Sequence, residues 1–433
     1  MNQPAADRSR RPAVRRRWAW ATAWVLANAA VAALATAAEI PRAAPEALGF
    51  SSARLARLDR FLAQEIAHKH KSGAVVLIAR HGRIAWEKAY GESDVERHTP
   101  LRTDAMFRLM SMTKPVTSVA LLTLYEQGRF QLGDPLERYL PEFHDVRVWK
   151  GNDGAGQMIL KPPQRAPSVH DLLRHTAGFA YGGYFEDNPV DRAYQAAGLR
   201  YEQLDSVAQL TGRLASMPLL YEPGERWVYS FAHDVQAHLV ERLSGETFAA
   251  YCRRTIFEPL GMRDTVFGIP DALAARYPRE YVADDAGGIR AVPTSQDPYR
   301  HMTARAFGGV GLASTAQDYL RFAQMLLNGG ELAGVRVLGR KTVELMTSDN
   351  LPHVTEYWAP GMRYGLGVAV LTEPAQAGNL GSAGQYGWPG LESTWFVVDP
   401  HEELVALLLT QFSPRDVHFD DEFQTLVYQA LVR

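Results

Sequence analysis

The chain has 433 residues, of which 46% are hydrophobic and 22% charged, an ordinary composition for a globular protein. A formal net charge of -2 gives no sign of a surface that binds nucleic acid. Because Cys252 is the single cysteine, the chain can form neither an internal disulfide nor a cysteine-based metal site, and we expect Cys252 to be a buried apolar residue.

The first 38 residues differ from the rest of the chain. An arginine-rich head precedes an uncharged, alanine-rich run from Trp18 to Ala37, and Ala35-Thr36-Ala37 fits a signal-peptidase site. We therefore expect a signal peptide over 1–38, a linker over 39–46, and an exported protein that is periplasmic or secreted. The alternative is an uncleaved membrane anchor, because about 20 apolar residues can span a bilayer. Any membrane association would come from this segment only.

Periodic hydrophobic residues predict the elements that follow. A helix over Ser52 to His68 carries its apolar residues on one stripe. Two β-rich runs, Ala74 to Ala79 and Ile84 to Tyr90, flank a glycine-containing turn and predict a hairpin. The segment after Ser111 again has helical periodicity and ends at Gly128. The folded chain therefore begins with a helix, a hairpin and a second helix.

The region from 132 to 299 has the pattern of a mostly helical domain inserted into a sheet domain. It contains a clear helix from Val235 to Leu243 and long loops rich in proline and glycine. The elements predicted after it are a helix over Thr315 to Asn328, strands over Tyr364 to Leu371, Thr394 to Val398 and Leu404 to Thr410, and a closing helix over Phe419 to Leu431. We predict an α/β (α+β) fold, in which an antiparallel sheet from residues 47–131 and 300–433 is flanked by helices.

Ser111-Met112-Thr113-Lys114 places a hydroxyl and an amine three residues apart at the start of a helix. Residues i and i+3 share a helix face, so Lys114 can reach the hydroxyl of Ser111. A serine becomes an effective nucleophile when a base is held against it, and a helix N-terminus favours negative charge on the attacking oxygen. The motif also arises by chance, and taken alone a solvated lysine is its commoner explanation.

Other catalytic patterns do not fit the sequence. Gly381-Ser382-Ala383-Gly384 has the wrong spacing for a nucleophile elbow. The 13 histidines lack metal-ligand spacing, and His233 and His238 are too far apart to share a helix face. Gly308-Gly309-Val310-Gly311 does not follow a β-rich run and lacks the spacing of a dinucleotide-binding loop.

Two further segments could complete a hydrolase site. Tyr229 follows a proline-glycine turn signal and is expected on a loop, where it could relay protons, although packing is the commoner role for a single tyrosine. Trp388-Pro389-Gly390-Leu391 is expected at a turn of the C-terminal sheet. Gly390 would let a ligand approach the backbone there, and the N–H of Leu391 could pair with that of Ser111 around an oxyanion. Taken alone, this segment is a simple turn.

Together these motifs resemble those of the serine β-lactamase and penicillin-binding-protein superfamily, especially its class C branch and the related family VIII carboxylesterases. The resemblance extends from about Pro45 to Arg433. The segments that carry it are Phe107 to Lys114, Leu172 to Phe179, Glu222 to Ser230, Ile256 to Met262 and Gly308 to Thr315. Three motifs, namely Ser-x-x-Lys, the Tyr229 segment and Trp388-Pro389-Gly390, occur in the order of the family. Together they are far more specific than Ser-x-x-Lys alone.

The resemblance implies a role for each matching residue. Ser111 would be the acylated nucleophile, and Lys114 and Tyr229 would share the roles of general base and acid. A neutral Lys114 could take the first proton, whereas a charged Lys114 would leave that step to Tyr229. The N–H groups of Ser111 and Leu391 would form the oxyanion hole. We predict no cofactor and no metal.

Departures from the family pattern point to the substrate. Phe231 stands where β-lactamases have an asparagine in the cleft, and Trp388 stands where they have a lysine that binds a carboxylate. The residues expected to line the substrate cleft are Trp388, Gly390, Phe231 and Tyr181. We therefore predict a carboxylesterase that acts on small apolar esters and has weak or no β-lactamase activity.

Three alternatives stay open from the sequence. A β-lactamase or D,D-peptidase would hold the carboxylate of its substrate with an arginine that the sequence does not place. An acyltransferase would use the same residues with an alcohol or amine as acceptor. A non-catalytic binding protein on this scaffold is the least favoured, because Ser111, Lys114 and Tyr229 are all present.

Overall fold

The computed structural model describes residues 39–184, 187–297, 305–351 and 359–433. The predicted signal peptide and the predicted domain boundary between residues 299 and 300 lie outside these ranges. The segment Ile40–Arg433 forms one compact unit. Within the described ranges, none of the helices is both long enough and apolar enough to cross a membrane.

Strands in the described part of the chain form one large sheet and four small ones. In chain order they are β1 (Gly73–Arg80), β2 (Arg83–Asp94), β3 (Thr99–Pro100), β4 (Phe107–Arg108), β5 (Val148–Asn152), β6 (Met158–Lys161), β7 (Val266–Phe267), β8 (Tyr281–Ala283), β9 (Ile289–Ala291), β10 (Leu312–Ser314), β11 (Glu331–Leu332), β12 (Val335–Arg336), β13 (Met362–Tyr364), β14 (Ala369–Leu371), β15 (Tyr386–Gly387), β16 (Trp395–Asp399), β17 (Leu404–Thr410) and β18 (Phe412–Ser413). The large sheet is antiparallel, in the spatial order β13-β14-β15-β16-β17-β1-β2-β3. Leu77 of β1 lies opposite Leu407 of β17 at its centre.

Helices lie on both faces of this sheet. In chain order they are α1 (Ser52–Ala67), α2 (Thr113–Glu126), α3 (Val169–Leu173), α4 (Pro189–Ala196), α5 (Val207–Ala215), α6 (Ala232–Ser244), α7 (Phe248–Cys252), α8 (Glu258–Leu260), α9 (Ala316–Leu327), α10 (Arg340–Met346), α11 (Pro374–Ala377) and α12 (Val417–Tyr428). A π-helical turn over Arg253–Phe257 joins α7 to α8. Short 3-10 helices lie at Pro45–Leu48, Met110–Met112, Leu136–Arg138, Pro141–Phe143, Tyr201–Gln203, Asp271–Arg276 and Thr294–Gln296.

The central strands are buried on both faces, which explains their continuous apolar sequence. Successive side chains of a strand point to opposite faces. In β1, Val75 and Leu77 face the larger core, and Val76 and Ile78 face a smaller core that α1 and α12 complete. The sheet is therefore a middle layer, with α1 and α12 on one side and the helices of the larger core, such as α2, α6 and α9, on the other.

Helix α2, which follows Ser111, is buried all round and not along one stripe. Every residue from Thr113 to Leu124 is buried, because α2 packs against α6 and α7 inside the larger core. A buried polar side chain needs a hydrogen-bond partner. The Thr117 hydroxyl donates to the Gly308 carbonyl at 2.8 Å, for example. The position of α2 is therefore defined by polar contacts as well as by apolar packing.

The predicted fold class is confirmed: the protein has an antiparallel sheet flanked by helices. Residues from the sheet and from the helical region between 132 and 299 share the larger hydrophobic core. Cys252 is buried in α7 and unpaired, as a small apolar residue would be. Helix α2, which begins just after Ser111, therefore lies inside this shared core.

The structure corrects two details of the predicted elements. The run from Tyr364 to Leu371 is not one strand, because Gly365 donates to the Val368 carbonyl at 2.8 Å and Gly367 has a φ of +91°, so the chain turns between β13 and β14. The helical region also contains the short strands β5 to β9, which the sequence analysis did not identify. Strands of two to five residues carry too few alternating positions to produce a periodic signal.

Candidate active site

Ser111 lies at a strained turn at the head of α2. Met110, immediately before it, has a φ of +47°, a left-handed conformation that costs energy for a residue other than glycine. The N–H of Leu109 donates to the Leu312 carbonyl at 2.8 Å and holds the turn in place. Ser111 is therefore presented, half-buried, at the N-terminal end of a buried helix.

Lys114 is fully buried beside the nucleophile. Its Nζ donates to Ser111 Oγ at 3.1 Å, to the Gly309 carbonyl at 2.9 Å and, over a longer contact of 3.4 Å, to the Tyr181 hydroxyl. An ammonium group has three N–H donors, so these three acceptors use all of them. The Nζ also lies 4.5 Å from the centre of the Tyr229 ring. These contacts fix the direction of the Lys114 side chain.

Tyr229 also contacts the nucleophile, and it lies on a loop before α6. Its hydroxyl donates to Ser111 Oγ at 2.7 Å and accepts a hydrogen bond from Trp388 Nε1 at 3.3 Å. The N–H of Val228 donates to the His175 carbonyl at 2.9 Å, which ties the loop to the helical region. Ser111 Oγ is therefore in hydrogen-bond distance of two groups that can accept or return its proton.

The turn that carries Leu391 packs against the segment that leads into Ser111. Gly390 donates to the Thr394 carbonyl at 2.7 Å, and the Thr394 hydroxyl donates to the Leu109 carbonyl at 3.3 Å. A Cβ atom at Gly390 would collide with that carbonyl, so only glycine allows the close approach. Leu391 itself is 39% exposed. The two predicted oxyanion donors therefore come from segments that touch each other.

The predicted aromatic residues of the cleft form two layers. Trp388 packs with its ring centre 5.4 Å from that of Tyr229, and Tyr181 stacks on Tyr229 at 5.2 Å. Phe231 is 0% exposed and stacks behind Tyr181 at 4.7 Å. Phe231, which was expected to line the substrate cleft, thus lies behind Tyr181 and has no exposed surface.

Tyr201 and Asp234, which the sequence analysis did not single out, adjoin this constellation. The Tyr201 hydroxyl donates to Asp234 Oδ2 at 2.9 Å and lies 2.9 Å from the Tyr181 hydroxyl. Asp234 is fully buried in the first turn of α6. The available signal was an acidic residue directly before the predicted helix over Val235 to Leu243, but its partners lie far away in the sequence.

Gly309 connects this aspartate to the lysine. Its N–H donates to Asp234 Oδ1 at 2.9 Å, and its carbonyl accepts from Lys114. Burial raises the pKa of Asp234 to about 6, and the hydrogen bond from Gly309, the charge of Lys114 and the hydrogen bond from Tyr201 oppose this rise. Asp234 is therefore mainly ionised at neutral pH.

His175 and His233 form a buried pair next to Tyr229. Their ring centres are 4.7 Å apart, and the ring of His175 lies 5.0 Å from that of Tyr229. Burial and, to a lesser extent, the charge of Lys114 hold the pKa of both imidazoles well below its usual range. At neutral pH both rings are uncharged, so they support Tyr229 by packing. In the described part of the chain, no cluster of three or more histidine, cysteine or acidic side chains is arranged to hold a metal.

Comparison with known proteins shows the family of this chain. Residues 58–429 match the Beta-lactamase family, so the chain belongs to it and the predicted resemblance is confirmed. Esterase EstB of Burkholderia gladioli is 32% identical over 381 residues, which cover 84% of this chain and 93% of EstB. ML-236A carboxylate methylbutanoyltransferase of Penicillium citrinum is 28% identical over 403 residues, covering 87% and 92%. The solved structure of EstCE1, a hydrolase with promiscuous acyltransferase activity, has a TM-score of 0.74 at 27% identity, covering 87% of this chain and 99% of EstCE1.

Proposed function

We propose that the protein is a carboxylesterase that hydrolyses small apolar esters through an acyl intermediate on Ser111. The observation that carries this proposal is the double contact at the Ser111 hydroxyl. Tyr229 lies 2.7 Å from Oγ and Lys114 lies 3.1 Å from it. Such an arrangement activates a serine for attack on a carbonyl carbon.

Each step of the proposed reaction would use one of the groups described above. Ser111 Oγ would attack the ester carbonyl while its proton passes to the pair formed by Lys114 and Tyr229. The N–H groups of Ser111 and Leu391 would stabilise the oxyanion. The C–O bond to the alcohol then breaks, and the leaving alkoxide takes the proton. Water attacks the acyl-serine by the same route, releases the acid and restores the hydroxyl of Ser111.

Aromatic residues around the nucleophile support an apolar, uncharged substrate. Trp388 occupies the position where β-lactamases carry a lysine, and its buried ring adjoins Tyr229. A carboxylate on the substrate would lose the charge-assisted hydrogen bond that a lysine provides. An ester needs only its carbonyl to be held, so the absence of a cation at position 388 does not weaken its binding. The esterase activity in the name of the relative EstB agrees with this preference.

Acyl transfer is a second candidate, supported by the acyltransferase activities of the relative from Penicillium citrinum and of EstCE1. The acyl-Ser111 intermediate is the same, and an alcohol replaces water in the second half-reaction. Product analysis with an added alcohol separates the two: the proposal expects free acid as the main product, and a predominant new ester would favour transfer.

The test of the proposed function is a chain-length series of p-nitrophenyl esters assayed beside nitrocefin. We expect the short-chain esters to be turned over much faster than nitrocefin. In Ser111→Ala the turnover should fall by about 1000-fold or more. Ser382→Ala, at the serine of the rejected glycine-serine pattern, should leave it unchanged. Ester turnover that persists in Ser111→Ala would contradict the mechanism, and nitrocefin turnover at the rate of the esters would favour a β-lactamase.

We also propose that the protein is exported. Support comes from the arginine-rich head and apolar run that end at Ala35-Thr36-Ala37. The mass of the mature chain tests this proposal: cleavage should leave Ala38 or Glu39 at the N-terminus, and a full-length chain in the membrane fraction would favour an anchor.

A further inference from the structure

A continuous line of hydrogen bonds runs from Lys114 to the carboxylate of Asp234. Lys114 Nζ contacts the Tyr181 hydroxyl at 3.4 Å, that hydroxyl lies 2.9 Å from the Tyr201 hydroxyl, and Tyr201 donates to Asp234 Oδ2 at 2.9 Å. All four side chains are buried, with at most 8% of any of them exposed. The line therefore lies inside the protein and not at its surface.

The hydrogen atoms in this line can point in one direction only. Each phenol has a single O–H donor. Tyr201 uses its donor on Asp234, so the hydrogen bond between the two tyrosines must be donated by Tyr181. Tyr181 is then left with a lone pair for the N–H of Lys114. Every donor points from the ammonium toward the carboxylate, which is the arrangement that bridges opposite charges.

Gly309 provides a second bridge between the same two charges. Its carbonyl accepts from Lys114 at 2.9 Å and its N–H donates to Asp234 Oδ1 at 2.9 Å. A Cβ atom at Gly309 would lie 2.7 Å from the Tyr201 hydroxyl and 2.8 Å from Asp234 Oδ2. The backbone can approach this closely only because the residue is glycine. Both oxygens of Asp234 are thus engaged in bridges that end at Lys114.

Lys114 depends on these bridges for its counter-charge. Its three hydrogen-bond partners are two hydroxyls and a carbonyl, none of which carries a charge. A buried charge is unfavourable unless an opposite charge compensates it. His175 and His233 are uncharged. Burial, with a smaller effect from the charge of Asp234, raises the pKa of Tyr184 to about 12, so Tyr184 is also uncharged at neutral pH. Among the groups around Lys114 named here, Asp234 is therefore the one that carries a negative charge.

We propose that Asp234 is a positioning residue of the catalytic site. Acting through Tyr201 and Tyr181, its carboxylate favours the state in which Lys114, as an ammonium directed at Ser111, holds the proton that the Tyr229 hydroxyl gives up. Tyr229 is then a phenolate, and it accepts the proton of the nucleophile. This inference rests on the proposed function, because it assigns the division of labour between the two candidate bases. A charged Lys114 next to the Tyr229 ring stabilises negative charge on the Tyr229 oxygen.

The test compares the pH dependence of Ser111 reactivity in wild type and in Asp234→Asn. The readout is the rate at which a fluorophosphonate probe labels Ser111, together with kcat and KM for p-nitrophenyl acetate. We expect labelling and kcat to fall by about 10- to 100-fold with little change in KM. We also expect the high-pH limb of the profile to move to lower pH by about one unit, because the anion that stabilises the ammonium is gone.

Asp318→Asn is the matched control. Asp318 is also buried, with a pKa raised by burial to about 6, but its carboxylate accepts from the N–H of Asp264 and the hydroxyl of Thr265. Its substitution should change stability and leave the pH profile of labelling in place. A merely structural role for Asp234 would make the two variants behave alike.

Tyr201→Phe keeps the test decisive if Asp234→Asn does not fold. It removes the bridging hydroxyl but keeps a ring to pack against Phe307 and Phe231. We expect a lower labelling rate and a smaller pH shift than in Asp234→Asn, because the carboxylate remains. If wild type is labelled at Ser111 and the folded variants keep the wild-type pH profile of labelling, this inference is overturned and the proposed function stands. Wild type that is not labelled at Ser111 would overturn the proposed function and, with it, the inference.

Discussion

Trp388 shows how one side chain can change the chemistry of a shared site. The sequence comparison with β-lactamases predicts an apolar wall at this position. In the structure Trp388 is 5% exposed, and its Nε1–H donates to the Tyr229 hydroxyl at 3.3 Å. In the mechanism proposed above, a donor at this oxygen stabilises the negative charge that the Tyr229 phenolate carries before it takes the proton of Ser111. We therefore propose that Trp388 takes the place of a substrate-binding cation and also supports Tyr229 as the proton acceptor.

The first prediction concerns this hydrogen bond. Trp388→Phe keeps an aromatic ring but removes the N–H donor, so kcat for p-nitrophenyl acetate should fall by about 10-fold, the effect of one hydrogen bond to a charged group. KM should change little. Trp395→Phe is the control, because Trp395 is buried in the smaller core with Phe423 and has no contact with Tyr229 among its ring contacts. Equal activities of Trp388→Phe and wild type would show that the indole acts only as a wall.

Two backbone segments at the site show how elements are placed by close packing. The loop that contains Gly309 and the turn that contains Gly390 both approach other polar groups so closely that a Cβ would collide. Gly309 lies against α6 and Gly390 lies against the segment before Ser111. Glycine is required at these positions because neighbouring atoms occupy the space of a side chain, and not because the backbone turns there.

The second prediction is a comparison of two glycine substitutions. Gly309→Ala should lower the free energy of unfolding by about 1–3 kcal/mol, because the methyl group would press on Tyr201 and Asp234, and it should reduce turnover as well. Gly212→Ala, in α5 with no atom within 4 Å of its added Cβ, should raise stability by about 0.5–1 kcal/mol. Urea unfolding curves and kcat for both variants provide the measurement. Full activity in Gly309→Ala would contradict the proposed close packing.

At the scale of the whole molecule, a buried ion cluster joins distant parts of the chain. The Arg108 guanidinium in β4 contacts Glu280 at 2.8 Å, Asp297 at 3.1 Å and Glu392 at 3.3 Å. Glu392 follows Leu391 directly, so the cluster links the turn that carries Leu391 to the strand before Ser111. Three carboxylates around one cation leave excess negative charge, and burial, with the nearby Glu280 and Asp297, raises the pKa of Glu392 to about 8 against the pull of Arg108.

The third prediction is the pH dependence of stability that this cluster produces. Between the unfolded value of about 4.5 and the folded value of about 8, the folded protein holds a proton on Glu392 that the unfolded chain releases. The free energy of unfolding should therefore fall as pH rises through this window, by at most about 1.4 kcal/mol per pH unit from this group. Glu392→Gln should flatten that slope between pH 6.5 and 8.5, the range above the titration of Asp234, Asp318 and Asp420 near pH 6.

Urea titrations at several pH values measure this slope, and Glu403→Gln, at an exposed turn, is the control. The control should keep the wild-type slope. A slope that is identical in Glu392→Gln and wild type would show that Glu392 is already ionised at neutral pH in the folded protein.

Much of the fold follows from local patterns. The predicted hairpin, the helices around Ser52 and Thr315, and the strand over Leu404 to Thr410 all correspond to observed elements. These elements have enough residues for a period of 2 or 3.6 to be visible. The turn inside Tyr364 to Leu371 and the short strands of the helical region were missed, since two or three residues carry no period.

The sequence by itself determined the family, the fold class and the candidates Ser111, Lys114, Tyr229 and the turn before Leu391, because these residues lie in short motifs whose order along the chain is distinctive. Only the tertiary structure decided which distant groups meet them. Tyr201, Asp234 and Gly309 converge on Lys114 from three separate segments, and Phe231 lies behind Tyr181. The physical reason is that hydrogen bonds and burial depend on distances in space, whereas a motif records only distances along the chain.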